Sequence, residues 1–193
     1  MSEGMLGLVP LSDVRGPVNH LYEQLAGAKG PEVLERLKKM LRWAMFTVTH
    51  GDGTTKEQLL AAYNYVGDVA RTFVMSVLFR TVSAPEDVDL EFIDGTDFDH
   101  DPTSEEVLEE LARRGLEEST EEDALCYGAT CPEGKDKRSV VFLHKANLWR
   151  GPREHLRVLV FDWYGSGRRL DDGWFDDPWI RQRCRFAGRR PRK

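Results

Sequence analysis

Arg168-Arg169-Leu170-Asp171-Asp172-Gly173-Trp174-Phe175-Asp176-Asp177-Pro178-Trp179-Ile180-Arg181-Gln182-Arg183-Cys184-Arg185-Phe186 is the stretch on which the reading of this chain turns. A few bulky rings recur among mixed, mostly polar residues. Trp174, Trp179 and Phe186 would each bury on the order of 150–250 Å² and act as anchors. Just before and between them stand Asp172, Phe175, Asp176, Asp177, Arg181, Gln182 and Arg183, which are expected to point outward. An exposed set containing aromatic and arginine side chains has the composition of binding hot spots. The segment from Arg168 to Lys193 therefore reads as short strands around exposed loops.

Upstream, Gly165-Ser166-Gly167 is a turn. Leu156 to Trp163 reads as a strand, because Leu156, Val158, Val160 and Asp162 alternate onto one face. Ser139 to Leu143, β-branched and aromatic, reads as another. Cys131 to Arg138 is a charged turn with Pro132 and Gly134. Thr103 or Ser104 caps a helix over Glu105 to Gly115, with Val107, Leu108 and Leu111 as its apolar face. Glu105 and Glu106 suit the positive end of the helix dipole, and Gly115 ends the helix. Ser119-Thr120-Glu121-Glu122 opens a second short helix through about Gly128.

The first half of the chain is more helical. Pro85 to Pro102 is acidic and loop-like around a short strand, Val88 to Ile93. Thr72 to Val82, almost continuously apolar or β-branched, predicts a buried strand. Before it, Thr54 or Thr55 caps a run with a stripe of Leu59, Leu60, Tyr63, Val66, Val69 and Ala70. His50-Gly51-Asp52-Gly53 is a turn. Residues 11–46 read as two helical pieces: one carries Val14, Val18, Leu21 and Leu25, the other starts at Pro31 and carries Val33, Leu34, Leu37 and Leu41.

Composition narrows the function classes. The 193 residues are 40% hydrophobic and carry a net charge of −6, which argues against bulk attraction to nucleic acid. Charge is segregated: Glu86 to Asp123 holds 17 acids against two bases, and Lys135 to Lys193 holds 16 bases against seven acids. No apolar run approaches the roughly 18–20 residues of a membrane helix. Met1 to Asp13 lacks the pattern of a secretory signal, so the cytoplasm is the expected location. Three cysteines, Cys126, Cys131 and Cys184, fit a reducing compartment better than a disulfide framework.

Catalytic constellations are weak. The chain has no Gly-rich phosphate loop, no His-Glu-x-x-His and no Gly-x-Ser-x-Gly. His20, His50, His100, His144 and His155 are scattered. Cys126 and Cys131 with His144 and His155 make a poor zinc set, and Asp97-Phe98-Asp99-His100-Asp101 lacks the calcium-loop pattern. Asp171-Asp172 and Asp176-Asp177 flank Trp174, but paired carboxylates need a shielded cleft to do acid–base work. The expectation is a protein that is not an enzyme, with no cofactor and no metal. Arg181 to Lys193 holds seven bases and no acids, so nucleic-acid binding through this tail is the alternative.

Arg168-Arg169-Leu170-Asp171, Gly173-Trp174-Phe175-Asp176-Asp177, Trp179 and Arg185-Phe186, in that order, resemble the end of the variable proteins diversified by diversity-generating retroelements. The resemblance covers residues 100–193 best. It implies an α+β chain with a C-type-lectin-like domain over residues 84–193, preceded by a helical leader with one strand over residues 1–83. It implies structural anchors at Leu170, Trp174, Trp179, Arg185 and Phe186. The implied variable surface consists of Asp162, Tyr164, Ser166, Asp172, Phe175, Asp176, Asp177, Arg181, Gln182 and Arg183, meeting a protein or other macromolecular ligand. Ala187-Gly188 departs from the Leu-Ala of that family, so the last strand is expected to end early or pack less tightly. A hydrolase on a formylglycine-enzyme-like version of the same fold is a further rival.

Overall fold

Phe46, Val48 and His50 turn inward while Thr47 and Thr49 turn outward, and this period-two alternation makes Phe46–His50 the first strand, β1, of the computed structural model. The structure describes residues 46–79, 81, 84–131, 138–145, 149–150, 155–165 and 167–191. These all belong to the second of two compact units, Met1–Trp43 and Ala44–Lys193. The helical pieces expected within residues 11–46 lie outside the described residues, except Phe46, which is in a strand.

After β1 come α1 (Lys56–Ala61), β2 (Tyr65–Val66), α2 (Asp68–Val74), β3 (Glu86–Asp94), α3 (Ser104–Arg113), β4 (Glu117–Glu118), α4 (Glu121–Thr130), β5 (Ser139–Phe142), β6 (Trp149–Arg150), β7 (Leu156–Tyr164), β8 (Gly167–Trp174) and β9 (Cys184–Arg189). The fold class is α+β. The strands form one mixed sheet in the order β1-β3-β9-β5-β7-β8-β2, with β4 beside β9 and β6 beside β7. The last strand is central. β9 runs antiparallel to β3 on one side and parallel to β5 on the other.

Both sheet faces carry a packed apolar cluster. On one, Val48, Leu90, Phe142, Leu159, Phe161 and Leu170 pack under α1, α2 and α4. Tyr127 of α4 is the hub there, its ring edge-on to Phe46 and Phe161 and tilted against Phe92 and Phe142. On the other face, Ile93, Val141, Val158 and Phe186 pack under Val107, Leu108 and Leu111 of α3 and under Phe175 and Trp179.

The local signals around α3 and α4 act as read. Thr103 and Glu106 form a reciprocal capping box, Thr120 and Asp123 form another, and Gly115 (φ 72°) takes the left-handed turn after α3. Four expectations are corrected. The apolar run Thr72–Val82 is not a buried strand: α2 extends to Val74, burying Ala70, Phe73 and Val74 at helical spacing, and Val77 is then 98% exposed. Short apolar runs are ambiguous in this way, because burial by a helix and by a strand require the same residues. The stripe Leu59–Ala70 is not one helix; β2 interrupts it, and Asn64 ties that break to β8 by accepting from the Arg168 N–H at 2.8 Å. His50 belongs to β1, and the turn begins at Gly51 (φ 59°). The boundary at residues 83/84 would cut one sheet, since β1 pairs with β3 from Phe46↔Leu90 to His50↔Glu86; the unit starts at Ala44.

The last strand does not end early. Ala187 and Gly188 are buried within β9, and the missing side chain of Gly188 makes room for Leu111 and Leu116.

Candidate functional site

Strand alternation places the candidates, because neighbouring residues of a strand face opposite sides of the sheet. β7 and β8 form a hairpin whose ends meet at Tyr164↔Gly167, with Gly165 in the left-handed region (φ 64°). Asp162 lies directly across from Arg169. Arg169 reaches Asp171, two residues on, with its guanidinium 2.6 Å from the carboxylate. Its carbon Cζ sits 5.8 Å from the Tyr65 ring centre and 6.0 Å from that of Tyr164. Tyr164 is 73% exposed and Tyr65 53%. The result is an open part of the sheet face holding two exposed rings, one guanidinium and two carboxylates. Arg169 Nε is buried and has no hydrogen-bond partner among the described residues.

Sequence reasoning placed Asp162 and Tyr164 here but missed Tyr65, Arg169 and Asp171. The period of two from Arg169 to Asp171 around buried Leu170 was a usable signal once β8 was recognised as a strand. Tyr65 had none: it arrives through the parallel pairing of β2 with β8, Tyr65↔Arg169. Ser166 lies outside the described residues.

The remaining candidates separate. Asp172 and Trp174 are strand residues of β8, not loop residues, and turn to the opposite face from Asp171. There the Asp172 carboxylate meets Arg157, which also lies over the Trp174 ring at 5.5 Å, and His155 stacks on Trp174 at 4.7 Å. Burial pushes the Asp172 carboxyl upward despite Arg157. Phe175 is buried, which corrects its placement on the variable surface: it fills the space beneath α3, and its carbonyl accepts from Ser104 at 2.6 Å. Arg181 is tied to the scaffold, with its guanidinium 2.7 Å from the Phe98 carbonyl and its N–H 2.9 Å from Asp101. Asp176, Asp177, Gln182 and Arg183 are exposed.

The five expected anchors differ in burial. Leu170, Phe186 and Arg185 are buried, Arg185 lying 5.0 Å from the Phe92 ring centre. Trp179 is half-buried; it sits on Gly173, where any Cβ would meet its ring, and its Nε1–H donates to Ser104 at 2.9 Å. Trp174 is half-buried as well.

A second concentration of chemistry is internal. At the α4 N-terminus, Asp123 caps through Thr120, faces His50 Nε2 at 2.9 Å without hydrogen-bond alignment, and lies 3.3 Å from Arg189 Nε. Glu122 is 3.8 Å from His50 Nδ1. His144 is buried with neither ring nitrogen hydrogen-bonded among the described residues. Nothing in the spacing of His50, Glu122 and Asp123 announces this meeting. The cluster does not make a nucleophile of the nearby thiol: burial and the Glu122 and Asp123 charges push Cys126 up to about 12. Cys184 is likewise pushed up to about 11, chiefly by burial. Among the described residues no three His, Cys, Asp or Glu side chains are arranged to hold a metal ion.

The basic tail and the acidic loop hold one another and their own fold. Arg189 faces Asp123, Arg190 pairs with Glu91 at 2.9 Å, and Arg181 lies on the acidic loop. Asp97 pairs with Arg114 at 2.8 Å, and Asp99 and Glu106 both hold His100. Among the described residues no helix is long and apolar enough to cross a membrane. No family model, no curated protein and no solved structure matches this chain.

Proposed function

We propose that the chain is a non-enzymatic binding module whose partner is a protein or peptide, docked on the open sheet face around Asp162, Tyr164, Arg169 and Tyr65. The observation that carries this reading is the pair of exposed tyrosines gathered about Arg169 on a strand-paired part of the sheet. Tyrosine offers large contact area while losing only two rotatable bonds, and arginine adds hydrogen bonds in a fixed plane. Asp176, Asp177, Gln182 and Arg183 are exposed in the segment that follows β8.

The finer reading is a C-type-lectin-like scaffold with a display surface of the retroelement-diversified kind. What supports it is order: β7, the Gly165 turn, β8 with Arg168 and Leu170, the two tryptophans, then β9 with Arg185-Phe186. In this arrangement the exposed loop residues alternate with anchors whose packing does not depend on them. Burial holds the Cys126 and Cys184 thiols protonated, which disfavours a thiolate nucleophile at either position. Nucleic-acid binding through the tail is disfavoured, because Arg181, Arg189 and Arg190 already have partners.

The test is selection from a phage-displayed random peptide library on the immobilised full chain. Enrichment of a consensus that binds the native protein and loses at least tenfold affinity to Tyr164→Ala and to Tyr65→Ala is the expected result. No enrichment, or binders indifferent to both substitutions, would sink the proposal.

A further inference from the structure

The open face already contains a cation in contact with aromatic rings, and that cation belongs to the protein. The Arg169 guanidinium lies within about 6 Å of two tyrosine ring centres, a distance at which a cation is attracted by ring electrons. Both rings are more exposed than covered. The same guanidinium neutralises Asp171, while Asp162 stands opposite in register. Two carboxylates against one guanidinium leave the immediate surroundings of Arg169 with an excess of negative charge. An incoming anion would meet that excess and an arginine already paired. An incoming guanidinium would meet two rings and two carboxylates.

We infer that Tyr65, Tyr164, Asp162 and Asp171 form a cation clamp for an arginine-bearing peptide segment, and that Arg169 is its resident occupant, displaced when the peptide binds. This rests on the binding-module reading above and names the chemistry of its partner. The physical argument is substitution in kind. Arg169 Nε has no partner among the described residues, so the resident guanidinium leaves part of its own hydrogen-bonding capacity unused. A guanidinium entering from solvent approaches free of the β8 backbone and can orient on Asp171, Asp162 and the rings together. Planar stacking and paired N–H donors favour arginine over the compact ammonium of lysine. Such contacts at an exposed site are screened by salt, so the affinity falls as ionic strength rises.

The experiment uses the full chain and the blocked amino acid Nα-acetyl-arginine-methylamide, with the neutral isostere Nα-acetyl-citrulline-methylamide as control. Binding is read from tyrosine ring signals in NMR titrations at low salt. Arg169→Ala, which empties the clamp, is expected to bind the arginine derivative at least tenfold more tightly than wild type. Arg169→Lys keeps a resident cation and is expected to remain close to wild type. Arg169→Ala combined with Tyr164→Ala is expected to lose the gain. Well-dispersed amide spectra of each variant establish that the fold is intact; if Arg169→Ala loses dispersion, Arg169→Gln takes its place with the same expected gain. Equal binding of citrulline and arginine, or no gain on removing Arg169, overturns the clamp. Peptides selected by phage that depend on Tyr164 but carry no arginine would overturn it too, while leaving the binding face standing. Absence of any Tyr164-dependent peptide removes both readings.

Discussion

His144 enters the core at the end of β5 with neither ring nitrogen hydrogen-bonded among the described residues, and that isolation has a measurable consequence. Burial pulls its ionisation down to about 4, against the weaker opposing pull of Asp123. An unfolded imidazole takes its proton near pH 6.5, the folded one only near 4. As pH falls through this window the unfolded chain gains the proton first. The stability associated with neutral His144 is therefore fully present above about pH 6.5 and is lost progressively as pH drops toward 4. Between pH 7 and 4.5 that loss is on the order of 2–3 kcal/mol. Unfolding free energies from urea titrations at the two pH values should fall more for wild type than for His144→Gln, by about that amount. Parallel declines would show that the proton goes elsewhere.

At the scale of elements, small contacts decide where segments lie. The segment 175–183 is held to the sheet by Trp179 on Gly173, and to α3 by Ser104, which donates to the Phe175 carbonyl and accepts from Trp179. Gly173 is required there by space rather than by its backbone angles, because a Cβ would collide with the Trp179 ring. Gly173→Ala should lift that ring into solvent and destabilise the fold by about 1–3 kcal/mol, as overpacking does. Tryptophan fluorescence should shift to the red with faster quenching by acrylamide. An unchanged spectrum would mean that the segment is held by other contacts. The α3 cap is a separate device. Thr103→Ala removes the acceptor for the Glu106 N–H and should cost about 1 kcal/mol in chemical denaturation, with no change in tryptophan emission.

Across the whole unit, the sheet's order sets what can be separated from what. β9 is last in sequence and lies between β3 and β5, so the sheet is completed only when the end of the chain returns to its middle. β1 and β2 occupy the two ends of the main strand order, and both come from residues before 84. A fragment of residues 84–193 would lose β1, β2, α1 and α2, exposing Leu90, Leu159, Phe161 and Leu170 on the face those helices help to cover. Such a fragment should remain unfolded or aggregate, whereas residues 44–193 should give a dispersed amide spectrum and a cooperative melt. A folded, monomeric 84–193 fragment would contradict the sheet described above.

What the sequence determined by itself was whatever rests on near neighbours. The boxes at Thr103 and Thr120, the stop at Gly115, the alternation of Leu156–Trp163 and the turn at Gly165 all depend on residues within a few positions of one another, and each is legible from spacing. The bulky anchors were legible for the same reason: Leu170 and Phe186 are too apolar to remain in water. What only the tertiary structure decided was which strands became neighbours. The arrival of Tyr65 beside Arg169, the meeting of His50 with Asp123, and the burial of Phe175 beneath α3 join residues far apart in the chain. Local pattern carries no information about those distances. Pairing does, because a strand's face is chosen by the partner it finds: Asp171 and Asp172, adjacent in sequence and chemically alike, end on opposite sides of the sheet.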